Sequence, residues 1–408
     1  MYCNHEKFCI FAANLTMDFI GELTYLQLWL MIGSVVCIII SLIAILARTV
    51  PLRRYFNRRH ELADVDRSHL VTAAVIVFVN DDAESLAEML PGVLSQDYPA
   101  GYEVIVVNDG ESADVRNIVE GLKVNHRNLY FTVAPDGARN LSRKKLALTL
   151  GVKAAKSSVV VHTTSNARIK TDKWLWNIMK HFDPEGAVDV VIGYAAAPAY
   201  DDTSFGARGR AFDSMVDALG WVGPATAGRP WRGTEHNLAY RRELFFRNKG
   251  FSHHLNLRDG DDDIYVSEIA RGFNTVVELS SEAFVEVPGA NGRRVFNERL
   301  ARRRFTKRFI SRRPRIAGTV STIFYFLAPF PLIVCPFISF MPWIGWVYTA
   351  AILICWYATG LLYNSANRIL RGRRLALSTP LLAFTRPLRI VSRTVNSVAH
   401  KGKRYTWE

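Results

Sequence analysis

The 408-residue chain has no cysteine between residues 48 and 317; its five cysteines are Cys3, Cys9, Cys37, Cys335 and Cys355. That excludes a disulfide framework for the middle of the chain, and leaves Cys3 with Cys9 as the one pair that an oxidising compartment would join. Neither G-x-G-x-x-G nor the P-loop pattern occurs, which removes the common dinucleotide and NTPase fingerprints. There is no internal repeat, low-complexity tract or recognised nucleic-acid module. The formal charge of +14 therefore points away from nucleic acid and towards anionic lipid headgroups. Basic residues are scarce before residue 26, where only Lys7 occurs. Acids are scarce from 292 to 315, where Glu298 faces eleven Lys or Arg.

Apolar sequence is concentrated in three stretches. Leu26–Ala47 is uncharged and long enough to span a bilayer core. A signal peptide is disfavoured, because a long segment precedes the run and no small-x-small site follows it. Gly318–Phe340 and Trp343–Tyr363 read as two further spans. Pro329, Pro331, Pro336 and Pro342 interrupt them, so a re-entrant pair stays open. Arg48, Arg53, Arg54, Arg58 and Arg59 follow the first span, and Arg368, Arg371, Arg373 and Arg374 follow the third. The positive-inside rule then predicts a cytosolic 48–315, an external N-terminus and a cytosolic tail. The expected organisation is an external segment (1–25), a span (26–47) and a basic linker (48–69). A cytosolic domain (70–291), a basic interfacial segment (292–317), two spans or re-entrant helices (318–363) and a basic amphipathic tail (364–408) follow.

Within the cytosolic part, strand and helix signals alternate, which predicts an α/β layered fold. Val71–Val79 is a β-branched apolar run of the kind buried on both faces of a sheet. Strands are also expected at 103–107, 129–133, 158–162 and 275–279. Helices are expected at 84–94, 113–123, 144–155 and 264–271. Carboxylates and amides fall at the strand ends, where doubly wound sheets bind their ligands. His253-His254 lack further ligands nearby and do not predict a metal.

Several motifs then occur in a fixed order. They are Asn80-Asp81-Asp82; Gln96-Asp97-Tyr98-Pro99; Val106-Val107-Asn108-Asp109-Gly110-Glu111-Ser112; Ser142-Arg143-Lys144-Lys145-Leu146-Ala147-Leu148; Asn237-Leu238-Ala239-Tyr240 with Gly250-Phe251; and Gly260-Asp261-Asp262-Asp263. As a set they resemble the inverting family 2 glycosyltransferases of the GT-A fold, and most of all the membrane-anchored members common in Bacteroidetes-type bacteria. The resemblance covers roughly residues 70–310 and the flanking spans. It implies a nucleotide-sugar donor and a lipid-linked or glycan acceptor at the inner membrane. It also implies that Asn80, Asp82, Asp109 and Lys145 surround the nucleotide, and that Asp262, beside Asp261, is the general base. The competing reading of these acids is local: Asp and Asn start turns, and acids suit a helix start.

One departure stands out. The family's Asp-x-Asp, which binds Mg²⁺ or Mn²⁺, aligns with Ser165-Asn166-Ala167, where no carboxylate remains. No metal-ligating residue is therefore expected, and whether Mg²⁺ or Mn²⁺ takes part stays open. Two readings follow. In one, a transferase uses cations such as Arg168, Lys145, Arg299, Arg302 and Arg303 to stabilise the leaving diphosphate. In the other, the fold persists as a non-catalytic membrane subunit, partnering a paralogous transferase or a second copy of itself. The retained acidic triplet favours the first.

Overall fold

In the computed structural model, Ala73–Val79 form strand β1, and every one of its seven residues is buried. The described residues are 3–58, 70–135, 141–198, 204–310, 313–328, 342–373, 375 and 378–399. Two compact units result. One comprises Met1–Ala47, Arg315–Asn364 and Leu375–Val391; the other comprises Arg48–Pro314, Ser365–Arg374 and Ser392–Glu408.

The second unit is built on a mixed sheet. After β1 come β2 (Tyr102–Asn108), β3 (Leu129–Val133), β4 (Val159–Thr164), β5 (Arg168–Ile169), β6 (Val190–Ile192), β7 (Ala195–Ala196), β8 (Leu238–Arg241), β9 (Thr275–Val277) and β10 (Val285–Glu286). Seven strands pair in the order β3-β2-β1-β4-β8-β6-β9, and β5-β10-β7 form a small second sheet. β1 lies parallel to both β2 and β4, whereas β8 runs antiparallel to both β4 and β6. That reversal positions the site. With His162 opposite Leu238, the residues just before β8 arrive at the same sheet edge as the ends of β1, β2 and β4.

The crossover helices follow their sequence signals. In Ala83–Leu94, capped by Asp82, the residues Leu86, Met89, Leu90 and Val93 turn inward at helical spacing. Ser112 caps Ala113–Lys123, and Ser142 caps Arg143–Ala154.

The turn after β1 depends on a glycine. Asp81 adopts φ 49°, and its carboxylate accepts from Asn108 Nδ2 at 2.8 Å and from the Ser112 amide at 3.2 Å. A Cβ on Gly110 would lie 1.6 Å from Asp81 Oδ2. Gly110→Ala must therefore displace this clasp. Thermal unfolding should register a loss of about 1–3 kcal/mol, the usual cost of overpacking.

Tyr25–Arg58 and Trp346–Ile369, most of whose residues belong to the first unit, are long and apolar enough to cross a bilayer. Leu28, Trp29, Ile39 and Ile43 on one, and Val347, Ile354 and Leu361 on the other, are exposed. Tyr325 stacks on Trp356 with ring centroids 5.9 Å apart. Of the expected span Gly318–Phe340, the helix Arg313–Leu327 covers the first part. Residues 329–341, with Pro329, Pro331 and Pro336, lie outside the described residues, as do the side chains of Cys3 and Cys9. The tail forms helix Arg386–Ala399, which exposes Leu388, Val391 and Val395 at helical spacing.

Candidate active site

A cleft of about 450 Å³ opens at the carboxyl edge of β1, β2 and β4. Asn80, Asp82 and Asp109 line it from the strand ends, Lys144 from a helix start, and Glu235 and His236 from the approach to β8. Thr164 joins two of these walls, its hydroxyl lying 2.6 Å from His236 Nδ1. Burial, then the charge of Asp81, pushes the Asp109 carboxyl up to about 6, against the pull of Arg143 and Lys144.

The acidic triplet sits deeper, and its members do different jobs. Asp261 pairs with Lys144 at 2.8 Å. Asp263 caps the helix Ile264–Ile269, accepting from the Ile264 amide at 2.7 Å, and also accepts from the Thr306 hydroxyl. Asp262 is different: among the described residues its carboxylate has no hydrogen-bond or ion-pair partner, and it lines a cavity of about 120 Å³. Burial, then the charges of Asp263, Asp261 and Glu235, hold its carboxyl well above the usual range, with Arg232 opposing. An unpartnered carboxyl with a raised pKa at a cavity wall is what a general base requires.

Other expected site residues separate. Lys145 is fully buried and turned away from the cleft. Its ammonium donates to the carbonyls of His254, Leu257 and Asp259 at 2.7, 3.0 and 2.9 Å, and lies 2.8 Å from His254 Nδ1. It pins that loop, while the neighbouring Lys144 reaches the cleft. Arg168 also lines neither space. It pairs with Glu88 and donates to the Ser165 and Ala167 carbonyls at 3.3 and 3.4 Å, so its charge serves local structure. Arg302 lines both the cleft and the cavity, whereas Arg299 and Arg303 line only the cavity.

Sequence reasoning did not reach Lys144, Arg232, Glu235 or Asp217. Burial would lower the Lys144 ammonium, but Asp261 and Glu235 outweigh it and hold the group above its ordinary value. Burial would raise Glu235, yet Lys144, His236 and Arg302 hold it below. The adjacency of Glu235 and His236 to Asn237 was the available signal.

A divalent cation does not fit these side chains. At residues 165–167, Ala167 offers no donor side chain, and Asn166 Oδ1 already accepts from Thr164 at 2.7 Å. Glu235 and Asp261 hold the Lys144 ammonium between them. Among the described residues, no group of three or more His, Cys, Asp or Glu is placed to hold a metal ion.

A mixed α/β sheet with its acids gathered at one edge defines a ligand-binding α/β domain. Residues 73–250, from β1 to just beyond the helix after β8, match the model described as glycosyl transferase family 2. With the strand order above, that match gives this unit the GT-A α/β fold. Solved structures similar to the chain include the mannosyltransferase PcManGT from Pyrobaculum calidifontis in complex with GDP-Man and Mn²⁺, with 18% identity, 86% of this chain and 99% of that chain covered, and a TM-score of 0.47. S. aureus TarS 1-349 has 15% identity, 82% and 93% coverage and a TM-score of 0.36. GalNAc-T7 with UDP, GalNAc and Mn²⁺ has 13% identity, 55% and 44% coverage and a TM-score of 0.38. Likeness at this level carries no information on substrate. No curated protein matches the chain at a significant level.

Proposed function

We propose that the chain is an inverting glycosyltransferase that moves a sugar from a nucleotide-sugar donor to a membrane-associated glycan or lipid acceptor. The observation that carries this reading is the position of Asp262, unpartnered at a cavity that shares Arg302 with the nucleotide-sized cleft. The nucleotide lies against Asn80, Asp82 and Asp109. An acceptor hydroxyl in the cavity gives its proton to Asp262 as its oxygen bonds to the anomeric carbon. The bond from that carbon to the diphosphate breaks on the opposite side, which inverts the centre. Arg302 and Arg258, both lining the cleft, offset the charge that develops on the leaving group. The two long apolar helices support membrane anchoring, and the arginines that follow them are the ground on which we propose an external N-terminus and a cytosolic transferase unit at a bacterial inner membrane.

Nucleotide binding tests the donor half. Full-length protein in detergent would be titrated with UDP, GDP and dTDP on either side of pH 6, where Asp109 changes charge. An ionised Asp109 accepts hydrogen bonds from ribose or base, so affinity should fall as pH drops through that value. In Asp109→Asn the dependence should shrink to that of the nucleotide's own terminal phosphate, which also titrates near about 6. No affinity for any of the three nucleotides would sink the reading.

A non-catalytic subunit is the second reading, favoured by the missing carboxylates at 165–167. It requires a catalytic partner, and predicts nucleotide binding without turnover.

A further inference from the structure

At one end of the cavity beside Asp262, arginines outnumber the acid they pair with. Three arginines gather around a single acid, Asp217, on the helix Phe205–Thr226. Arg232 Nη1 donates to Asp217 at 3.2 Å, and Arg303 pairs with the same carboxylate. Arg299 reaches only neutral groups, donating to Ser214 Oγ at 2.8 Å and lying over the Phe296 ring at 5.4 Å, and among the described residues it has no carboxylate within ion-pair distance. Arg232 is 4% exposed, and its Nε is buried with no hydrogen-bond partner. All three side chains line the cavity.

A buried guanidinium without a counter-charge is costly unless a ligand supplies one. Arg232 is compensated: burial would lower it, but Asp217, Asp262 and Asp263 outweigh that and hold it above its ordinary value; Arg299 and Arg303 are not. Burial, then Arg232, pushes the Arg303 guanidinium down to about 9, even with Asp217 opposing. Burial also lowers Arg299. Planar guanidiniums suit oxyanions, which accept paired N–H donors. Arg299 and Arg303 do not line the cleft assigned to the donor, so a donor diphosphate seated there does not reach them.

We propose that the cavity recognises an acceptor bearing an anionic group, a phosphate or a carboxylate, held by Arg232, Arg299 and Arg303 while its hydroxyl faces Asp262. This rests on the transferase reading for its purpose, but the anion site stands on its own geometry. It adds a selection rule: neutral acceptors leave the arginines unsatisfied and bind more weakly.

The test is calorimetric titration of the full-length protein with inorganic phosphate and, separately, malonate. Each is run with and without a saturating nucleotide diphosphate. Saturable anion binding that persists with nucleotide present is expected, and the tighter anion identifies phosphate or carboxylate as the acceptor group. Arg299→Gln should weaken it about tenfold or more, as loss of one charge-assisted contact does, and Arg299→Lys should restore part of it. Arg168→Gln, outside the cavity, should change nothing. If Arg299→Gln does not fold, Ser214→Ala, which removes the hydrogen bond that Arg299 donates to Ser214 Oγ, should still alter anion affinity. Three results would each overturn the proposal: no anion binding, anion binding indifferent to Arg299, or a nucleotide affinity that falls in its place. Failure of the transferase reading looks different: no nucleotide binds, while the Arg299-dependent anion still does.

Discussion

Asp262→Asn should make the protein more stable and stop it transferring sugar. The sign follows from the carboxyl's environment. Its folded pKa is raised, so its contribution to stability is full below the unfolded value of 3.8 and is lost as pH rises through the folded value. Above that unfolded value, placing a charge on Asp262 therefore works against folding, beside Asp261, Asp263 and Glu235. Asparagine keeps the shape and removes the charge. A gain of about 0.5–2 kcal/mol is expected, the range seen when a functionally strained position is relieved. Thermal unfolding should show the gain at neutral pH and show it shrinking in acid, where the wild-type carboxyl is protonated. Transfer should fall about 10²–10⁴-fold, the worth of a general base. A merely structural aspartate would lose stability on the same substitution.

Lys144→Met should have the opposite effect on folding. The ammonium lies between Asp261 and Glu235, and its side chain is 14% exposed. Removing it leaves two carboxylates facing Asp262 with no cation between them, and breaking such a buried pair costs about 3–5 kcal/mol. The pH dependence should change with it. Glu235 has a depressed folded pKa, so its stabilising contribution is present above the unfolded value of 4.5 and is lost as pH falls through the folded one. The wild type should therefore lose stability below that unfolded value, and Lys144→Met should lose this acid-sensitive step because it never had the benefit. Melting curves across the acid range check this, and Glu235→Gln in the Lys144→Met background should recover part of the loss. A small, pH-independent change would mean that the lysine is only a surface charge.

The parts of this molecule that were legible in the sequence are those where burial leaves a one-dimensional trace. β1, β2 and β4 are apolar because helices cover both faces, and Leu86, Met89, Leu90 and Val93 face inward at the spacing that predicts them. The helix Phe205–Thr226 left no such trace. Gly206, Gly209, Gly220, Gly223 and Pro224 dilute its pattern, and Gly223 is there for packing: a Cβ would come within 2.7 Å of the Arg48 carbonyl. Asp217, carried by that helix, was out of reach for the same reason. Lys144 and Lys145 differ by one residue, so the helix start capped by Ser142 decides which faces the cleft, and no local signal reports it. The arginines of the helix Arg293–Thr306 read as one basic cluster, yet Arg299 and Arg303, four residues apart on one face, leave Arg302 alone to reach the cleft. The acidic triplet was legible as a group. Its division into an ion pair, an unpartnered carboxyl and a helix cap depends on Lys144 and Thr306, which only tertiary structure brings near.

Donor turnover tests the central claim most directly. Full-length wild type and Asp262→Asn would be offered UDP-, GDP- and dTDP-sugars with a membrane lipid extract as acceptor, and nucleotide release followed with Mg²⁺, with Mn²⁺ and with EDTA. The account predicts release from one donor class by the wild type, persisting in EDTA, and its loss in Asp262→Asn while nucleotide affinity is retained. Equal release by both proteins, or none from any donor, would contradict it.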